Sequence, residues 1–247
     1  MSIYKKFAAV YDQMGEDNFS VQMFNYTNRI LKRLRYRPKS VLDIACGTGT
    51  AAVLWAQKNT ITHAIDGSAD MLKMAKTKEV ENGVRIEFSK QSLTKFEVNR
   101  KFDLVTCYFD SLNYLPSLDE ITQTFSCVKK ALYPGGYFIF DVNTPEAMKY
   151  LWGGEVFADE TKDLAWIWKN LYFPKAKTAE VHATFFVRQG EIWERFEEVH
   201  SERGYTVTEM KRALKASGFK IVNVYDCLRF VKPDRKSMRI AVVATPK

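Results

Sequence analysis

The sequence predicts a doubly wound α/β sheet, mostly parallel with its last strand antiparallel, that carries an insertion of antiparallel β-strands. Three observations predict it. From Ser40 to Val142, strand-like apolar runs alternate regularly with helical segments, the pattern of a parallel sheet covered on both faces. The run VLDIACGTGT, Val41–Thr50, passes from a β-branched strand through a glycine turn directly into an Ala-rich helix, the arrangement of a ligand site at the head of such a sheet. From Thr144 the alternation stops, and three strand-like runs follow without helices between them.

Composition is consistent with this reading. The chain has 247 residues, 46% hydrophobic and 27% charged, enough for one large domain with an insertion. No apolar run approaches the roughly 20 residues that span a bilayer. The opening MSIYKKFAAVYDQ has Lys5-Lys6 but only a short apolar patch, and does not read as an export signal. Cys46, Cys107, Cys127 and Cys227 lie far apart with no Cys-x-x-Cys, so free thiols in the cytoplasm and no metal site are expected. The net charge of +8 permits acidic partners. Its densest cluster, Arg29, Lys32, Arg33, Arg35, Arg37 and Lys39, reads as the solvated face of a helix whose apolar side carries Ile30, Leu31 and Leu34. The other reading is a nucleic-acid patch.

Taken in order, Phe7, Val10, Tyr11 and Met14 recur at helical spacing and predict a short amphipathic helix over Tyr4–Met14. Gly15-Glu16-Asp17-Asn18 breaks it, and a helix from Ser20, as N-cap, to Leu34 follows. Pro38 delivers the chain to a strand over Ser40–Ala45, and a helix over Thr50–Gln57 follows the glycines. Thr60–Asp66 is a second strand, after which Gly67-Ser68-Ala69-Asp70 caps a helix to about Lys78. Val84–Phe88 and Phe102–Tyr108 read as strands, Leu118–Leu132 as a helix stopped by Pro134-Gly135-Gly136, and Tyr137–Val142 as the fifth strand. In the insertion, Ala165–Phe173, Ala179–Arg188 and Glu191–Glu202 are the strand-like runs, with Gln189-Gly190 as a tight hairpin turn. A helix from Thr206 or Thr208 to Ser217 and strands over Phe219–Cys227 and Met238–Ala244 finish the chain.

In such sheets a ligand sits outside the carboxyl ends of the strands where strand order reverses. Gly47, Asp66, Ser92, Cys107-Tyr108 and Asp141–Asn143 should converge there. The glycines let the backbone approach a ligand closely. Asp66, 17 residues after Gly49 at a strand end, is the carboxylate that would hold a ribose diol.

With these marks in place, the chain resembles the class I S-adenosylmethionine-dependent methyltransferases, whose fold is Rossmann-like. VLDIACGTGT is similar to that family's first motif, AIDGSADMLKMA to its second, FDLVTCYFDSLNYL to its fourth-strand motif and ALYPGGYFIFDV to its fifth-strand turn. The opening YKKFAAVYDQM resembles the small-molecule branch, whose N-terminal helices fold over the cofactor. The resemblance implies S-adenosylmethionine as cofactor. It implies Tyr4, Asp43, Ala45, Gly47, Thr48, Gly49, Asp66, Gly67, Met71, Ser92, Leu93, Cys107 and Tyr108 as the residues around it. It divides the chain into N-terminal helices and cofactor-binding part (1–143), an antiparallel lid (144–205), and a C-terminal helix with two strands (206–247). Two residues depart from the pattern. Ala45 stands at the usual first glycine and fits there if its φ is negative. Ser92 stands where many members carry an aspartate for the adenine amino group.

The acceptor is less legible. Tyr11, Tyr114 and His200 are the candidate catalytic residues, with Glu198 on the same strand face as His200 and able to form an acid/base pair with it. His63 and His182 read as structural. Trp152, Trp166, Trp168 and Trp193 suggest a hydrophobic or ring-bearing acceptor, a lid core or a dimer contact. The expectation is methyl transfer to nitrogen or oxygen of a small molecule, nitrogen preferred, by a monomer or a homodimer joined through the lid. The rivals are an RNA methyltransferase using the Arg29–Lys39 surface, and a non-catalytic cofactor-binding protein on the same fold.

Overall fold

The computed structural model describes residues 3–247. In chain order its regular elements are α1 (Asn18–Arg33), β1 (Ser40–Ile44), α2 (Thr50–Gln57), β2 (Ile61–Asp66), α3 (Ala69–Glu81), β3 (Ile86–Lys90) and β4 (Phe102–Cys107). There follow α4 (Leu118–Ala131), β5 (Leu132–Asn143), α5 (Pro145–Tyr150), β6 (Val156–Glu160), β7 (Leu164–Phe173), β8 (Thr178–Gln189), β9 (Ile192–Arg203), α6 (Val207–Ala216), β10 (Phe219–Asp226) and β11 (Arg239–Pro246). Seven strands form one sheet in the order β10-β11-β5-β4-β1-β2-β3, in which β11 runs antiparallel to both neighbours. Strands β6 to β9 form a separate antiparallel sheet.

Local chemistry sets most boundaries. The side chains of Ser68, Ser117 and Thr144 accept backbone N–H groups at the starts of α3, α4 and α5, and Thr206 with Glu209 forms a reciprocal capping box for α6. The Asp103 carboxylate accepts N–H from Lys39 and Ser40 and the Ser40 hydroxyl, so the start of β4 is stapled to the start of β1. One face of the sheet packs Phe138, Phe140 and Leu132 against Phe125 and Val128 of α4 and Met210 and Leu214 of α6. The other packs Val41, Leu104 and Ile139 against Met23 and Ile30 of α1 and Trp55 of α2. Each such buried side chain contributes about 1.5–3 kcal/mol.

Four expectations change. The Tyr4–Met14 segment is two 3₁₀ turns, Phe7–Ala9 and Asp12–Met14, rather than one amphipathic helix. Its backbone and the Asp12 side chain are engaged by distant parts of the protein, which shape it as a strap. Helix α1 begins three residues earlier than expected, after Asp17 and not after Ser20 as N-cap. Strand β5 begins at Leu132, which pairs with Phe102 of β4, and carries Pro134-Gly135-Gly136 inside it at a shift in the register; a Cβ at Gly136 would lie 2.9 Å from the Asp103 carbonyl oxygen. Helix α5 and strand β6 are additional. The first is a single capped turn and a half, and the second is exposed at every position and so shows no apolar alternation.

The reversal of strand order lies at β1, flanked by β2 and β4. Above that edge the inner face of the four-stranded sheet covers the strap: Phe7 and Val10 pack among Leu164, Val181, Ala183 and Phe185. On α1, the guanidinium groups of Arg29 and Arg33 lie 4.8 and 3.5 Å from the centre of the Phe230 ring. No helix among the described residues is long and apolar enough to cross a membrane.

Candidate active site

A cavity of about 890 Å³ opens at the carboxyl ends of β1, β2 and β4, beneath the strap and the four-stranded sheet. Its floor is the turn after β1. There Ala45 has a φ of +56°, in the left-handed region and not at the negative φ expected of it. The Gly47 N–H donates to Asp66 Oδ2 at 2.9 Å and the Ser68 N–H to Oδ1 at 2.8 Å. Burial raises the Asp66 carboxyl against the effect of these N–H groups. Each oxygen keeps a further lone pair toward the cavity. A Cβ at Gly47 would meet no protein atom within 4 Å, so the backbone there faces open space. Gly67, Met71, Ser92, Leu93 and Tyr108 complete this wall. The arrangement fits an adenosyl group, with an acidic acceptor for a diol, bare backbone at the turn, and apolar Met71 and Leu93 for a flat base.

Asp43, Gly49 and Cys107 stand behind this wall rather than in it. The Thr106 hydroxyl donates to Asp43 Oδ1 at 2.6 Å, and burial pushes the Asp43 carboxyl up to about 7. Gly49, at φ +81°, faces Ala75, whose Cβ would be 2.8 Å from a Cβ at this position. Cys107 is 1% exposed within the sheet core. Thr48 lines the cavity, but its hydroxyl donates to Asp12 Oδ1 at 2.6 Å, and Lys78 Nζ lies 2.7 Å from Asp12 Oδ2. The turn therefore fastens one end of the strap.

The other end is held by Glu198 on β9. Its Oε2 accepts the Tyr4 N–H at 2.6 Å, and its Oε1 accepts those of Lys5, Lys6 and Phe7 at 3.0, 3.2 and 3.2 Å. Against the effect of burial, neighbouring His200 and the Phe7 and Tyr4 N–H groups hold the Glu198 carboxyl below its ordinary value. His200 is 5% exposed, with Nε2 3.5 Å from Glu198 Oε2, a long contact, and Nδ1 3.1 Å from the Tyr114 hydroxyl. The Tyr114 and Tyr4 hydroxyls are 2.6 Å apart. Of the expected Glu198–His200 pair, His200 lines the cavity, whereas Glu198 is committed to the strap. Tyr4, Tyr11, Tyr114 and His200 all line the cavity, and burial raises the three phenols further above neutrality.

Beside this aromatic wall lies a charged network that sequence reading passed over. Arg239 on β11 donates to Asp141 Oδ2 at 2.6 Å and to Asp110 Oδ2 at 2.7 Å. Burial lowers its pKa, but Asp110 and Asp141 outweigh that and the guanidinium is held more firmly than usual. The Phe109 and Asp110 N–H groups also donate to Asp141. The Asn143 side-chain amide donates to Asp110 Oδ2 at 2.8 Å and, at 3.4 Å, to Glu202 Oε2. Burial, then the Asp110 charge, raises Glu202 well above the carboxylate range, and burial pushes Glu16 up to about 7. Asp110, Glu202, Glu16 and Arg239 all line the cavity. The available signal was the alternation Glu198-His200-Glu202, which puts all three on one strand face. Nothing nearby in sequence marks Arg239.

Trp152, Trp166 and Trp168 line the outer part of the cavity, whereas Trp193 does not and is 47% exposed. His63 packs on Phe102 and lies 3.1 Å from Glu87, and His182 pairs with Glu180 at 3.2 Å, both away from the site. No group of three or more His, Cys, Asp or Glu poised to hold a metal occurs among the described residues.

Residues 41–136 match the family model described as a methyltransferase domain. A provisionally named methyltransferase of Geobacillus sp. (strain WCH70) is 31% identical over 98% of this chain and 98% of its own. The crystal structure of an S-adenosylmethionine-dependent methyltransferase from Clostridium acetobutylicum ATCC 824 superposes with a TM-score of 0.88 at 30% identity, covering 99% of each chain. More distant relatives divide by acceptor. An aminosugar N,N-dimethyltransferase of Streptomyces venezuelae is 26% identical, over 74% of this chain and 76% of its own. A ubiquinone biosynthesis O-methyltransferase of Saccharophagus degradans is 29% identical, over 50% of this chain and 52% of its own.

Proposed function

The chain belongs to the class I S-adenosylmethionine-dependent methyltransferases, and we propose that it methylates an amine nitrogen on a small molecule. The observation that carries this reading is the set of carboxyl groups, Asp110 and Glu202 buried and Glu16 half-buried, that line the same cavity as Tyr4, Tyr11 and Tyr114. Among the described residues lining the cavity, Arg239 is the one Lys or Arg that answers them, and it is already committed to Asp110 and Asp141. A low-dielectric site with surplus carboxyl groups attracts an ammonium and gives nothing comparable to a hydroxyl acceptor.

When bound, S-adenosylmethionine supplies a methyl group on a sulfonium, a leaving group that is already activated. The residues around it do the positioning. Asp66 would accept hydrogen bonds from the ribose diol, Met71 and Leu93 would hold the base, and the Ser92 hydroxyl would stand in for the usual aspartate. Tyr4, Tyr11 and Tyr114 orient the acceptor, and Trp152, Trp166 and Trp168 hold its apolar or ring-bearing body. The strap, fastened at Thr48 and Glu198, keeps water out and holds donor and acceptor in line. The four free cysteines support a reducing, cytoplasmic setting.

The test is release of S-adenosylhomocysteine with matched acceptors that differ only in amine versus hydroxyl, such as benzylamine and benzyl alcohol, aminocyclohexanols and cyclohexanediols. Turnover confined to amines is expected. Turnover confined to hydroxyls would overturn the nitrogen assignment.

A further inference from the structure

The network around Arg239 has an odd number of carboxyl groups for one guanidinium. Asp110 and Asp141 each take one arm of it, which already leaves one negative charge. Glu202, 3% exposed, is the third carboxyl, and it accepts a long hydrogen bond from the Asn143 amide at 3.4 Å. An ionised Glu202 would be a second uncompensated charge in the same buried space, so in the free protein it holds a proton. After burial, Asp110 and Asp141 raise it further, whereas Arg239 and the Asn143 amide pull the other way without outweighing them. Asp110 and Tyr114 follow β4, Asp141 and Asn143 end β5, Tyr4 comes from the strap, His200 shares its strand, and Arg239 is spent.

Two further atoms show that this space is built for a polar ligand. Asn170 Oδ1 on β7, in a residue 4% exposed, has no hydrogen-bond partner among the described residues, and His200 Nε2 has the long 3.5 Å contact with Glu198 Oε2 in place of a well-formed bond. Both residues line the same cavity and stand in one row across the sheet, Asn170 opposite Val181 and Val181 opposite His200. Buried polar atoms without protein partners are rare and costly, and a polar ligand entering the cavity would supply them.

We propose that Glu202 is the group that takes the proton from the acceptor's ammonium, which rests on the amine reading above. A cationic acceptor docks beside Asp110 and Glu202, and the arriving positive charge drives the proton carried by Glu202 into solvent. The ammonium N–H bond then breaks, its electron pair stays on nitrogen as the attacking lone pair, and the proton passes to a Glu202 carboxylate oxygen. The net balance on binding is one proton released to solvent for each amine bound; the acceptor rests as an ammonium paired with the Glu202 carboxylate, and its proton passes to Glu202 only as the methyl group is transferred. Asp110 stays paired with Arg239 and sets the charge that makes the exchange possible.

The experiment has a ligand-free arm and a turnover arm. Carbon-13 NMR of the whole protein labelled at glutamate carboxyls should show two groups titrating above the ordinary range, Glu16 and Glu202, and Glu202→Gln should remove one of them. Benzylamine, added to protein saturated with S-adenosylhomocysteine, should shift that group's titration downward. Benzyl alcohol should leave it in place. In turnover with whichever amine the panel supports, Glu202→Gln should lower kcat about a hundredfold, the scale of a lost proton acceptor. Cofactor affinity should be unchanged, and Glu202→Asp should recover part of the rate. A Glu202 carboxyl that titrates in the ordinary glutamate range overturns this proposal and leaves the amine reading standing, as does full kcat in Glu202→Gln. Turnover of hydroxyl acceptors alone overturns the amine reading and this inference with it.

Discussion

Replacing Glu198 by alanine should open the strap without unfolding the protein. The Glu198 side chain is 9% exposed and spreads its two oxygens over four consecutive backbone N–H groups. A hydrogen bond to a charged acceptor contributes about 1.5–3 kcal/mol. Three of the four share Oε1 and two of those are at 3.2 Å, so the set counts as about two well-formed bonds. The loss is about 3 kcal/mol, a shift of roughly 150-fold toward the open strap. Tyr4 adds to the effect, because its φ of +59° is strained for a non-glycine residue and relaxes once the clasp is gone. Hydrogen exchange reads this directly: the amides of Tyr4–Phe7 should exchange far faster in Glu198→Ala, while those of β1 and β4 keep their protection. S-adenosylhomocysteine should also dissociate faster. Unchanged exchange at Tyr4–Phe7 would refute the clasp. The pH dependence has a definite sign. The Glu198 carboxyl is held below its ordinary value, so its contribution is present above that value and is lost as pH falls through the lowered one. The strap therefore loosens only in acid, in a window below the one in which Glu202 titrates.

Three other substitutions test the floor of the site. Ala45→Gly should raise stability by about 0.5–1 kcal/mol, since glycine relieves the left-handed strain at φ +56° and gives back part of the gain as unfolded-chain entropy; a lower melting temperature would contradict this. Gly49→Ala should lower stability by about 2–4 kcal/mol, because its Cβ would stand 2.8 Å from that of Ala75 at a φ of +81°; an unchanged denaturation midpoint would mean that α2 and α3 move apart freely. Asp66→Ala should weaken S-adenosylmethionine binding by more than about 1.5 kcal/mol by calorimetry, the scale of a lost charge-assisted bond, and equal affinity would mean that the ribose is held elsewhere.

The parallel core was legible because its signals are local. Strand and helix periods, the Val41–Thr50 turn and Asp66 at a strand end each depend on residues close in sequence. Ser68, Thr206 and Gln189-Gly190 likewise did what their chemistry predicts nearby. What escaped depends on distance. The strap reads as an amphipathic helix until Glu198, nearly two hundred residues on, takes its amides. Asp110, Asp141, Glu202 and Arg239 come from four separate places and meet only because β11 inserts beside β5 and β9 of the second sheet brings Glu202 to the Asn143 amide. Ala45 looks like a conservative replacement for glycine in sequence, and only backbone geometry reveals its left-handed conformation. Strand β6 has no buried side and so no pattern to read.

The most direct measurement of the central claim is a structure determined with S-adenosylhomocysteine and an amine acceptor analogue bound. The account predicts the ribose on Asp66, the base beside Met71 and Leu93, and the sulfur directed toward the space bounded by Tyr114, Asp110 and Glu202, with the amine there. A sulfur directed away from that space, or an amine seated elsewhere in the protein, would contradict it.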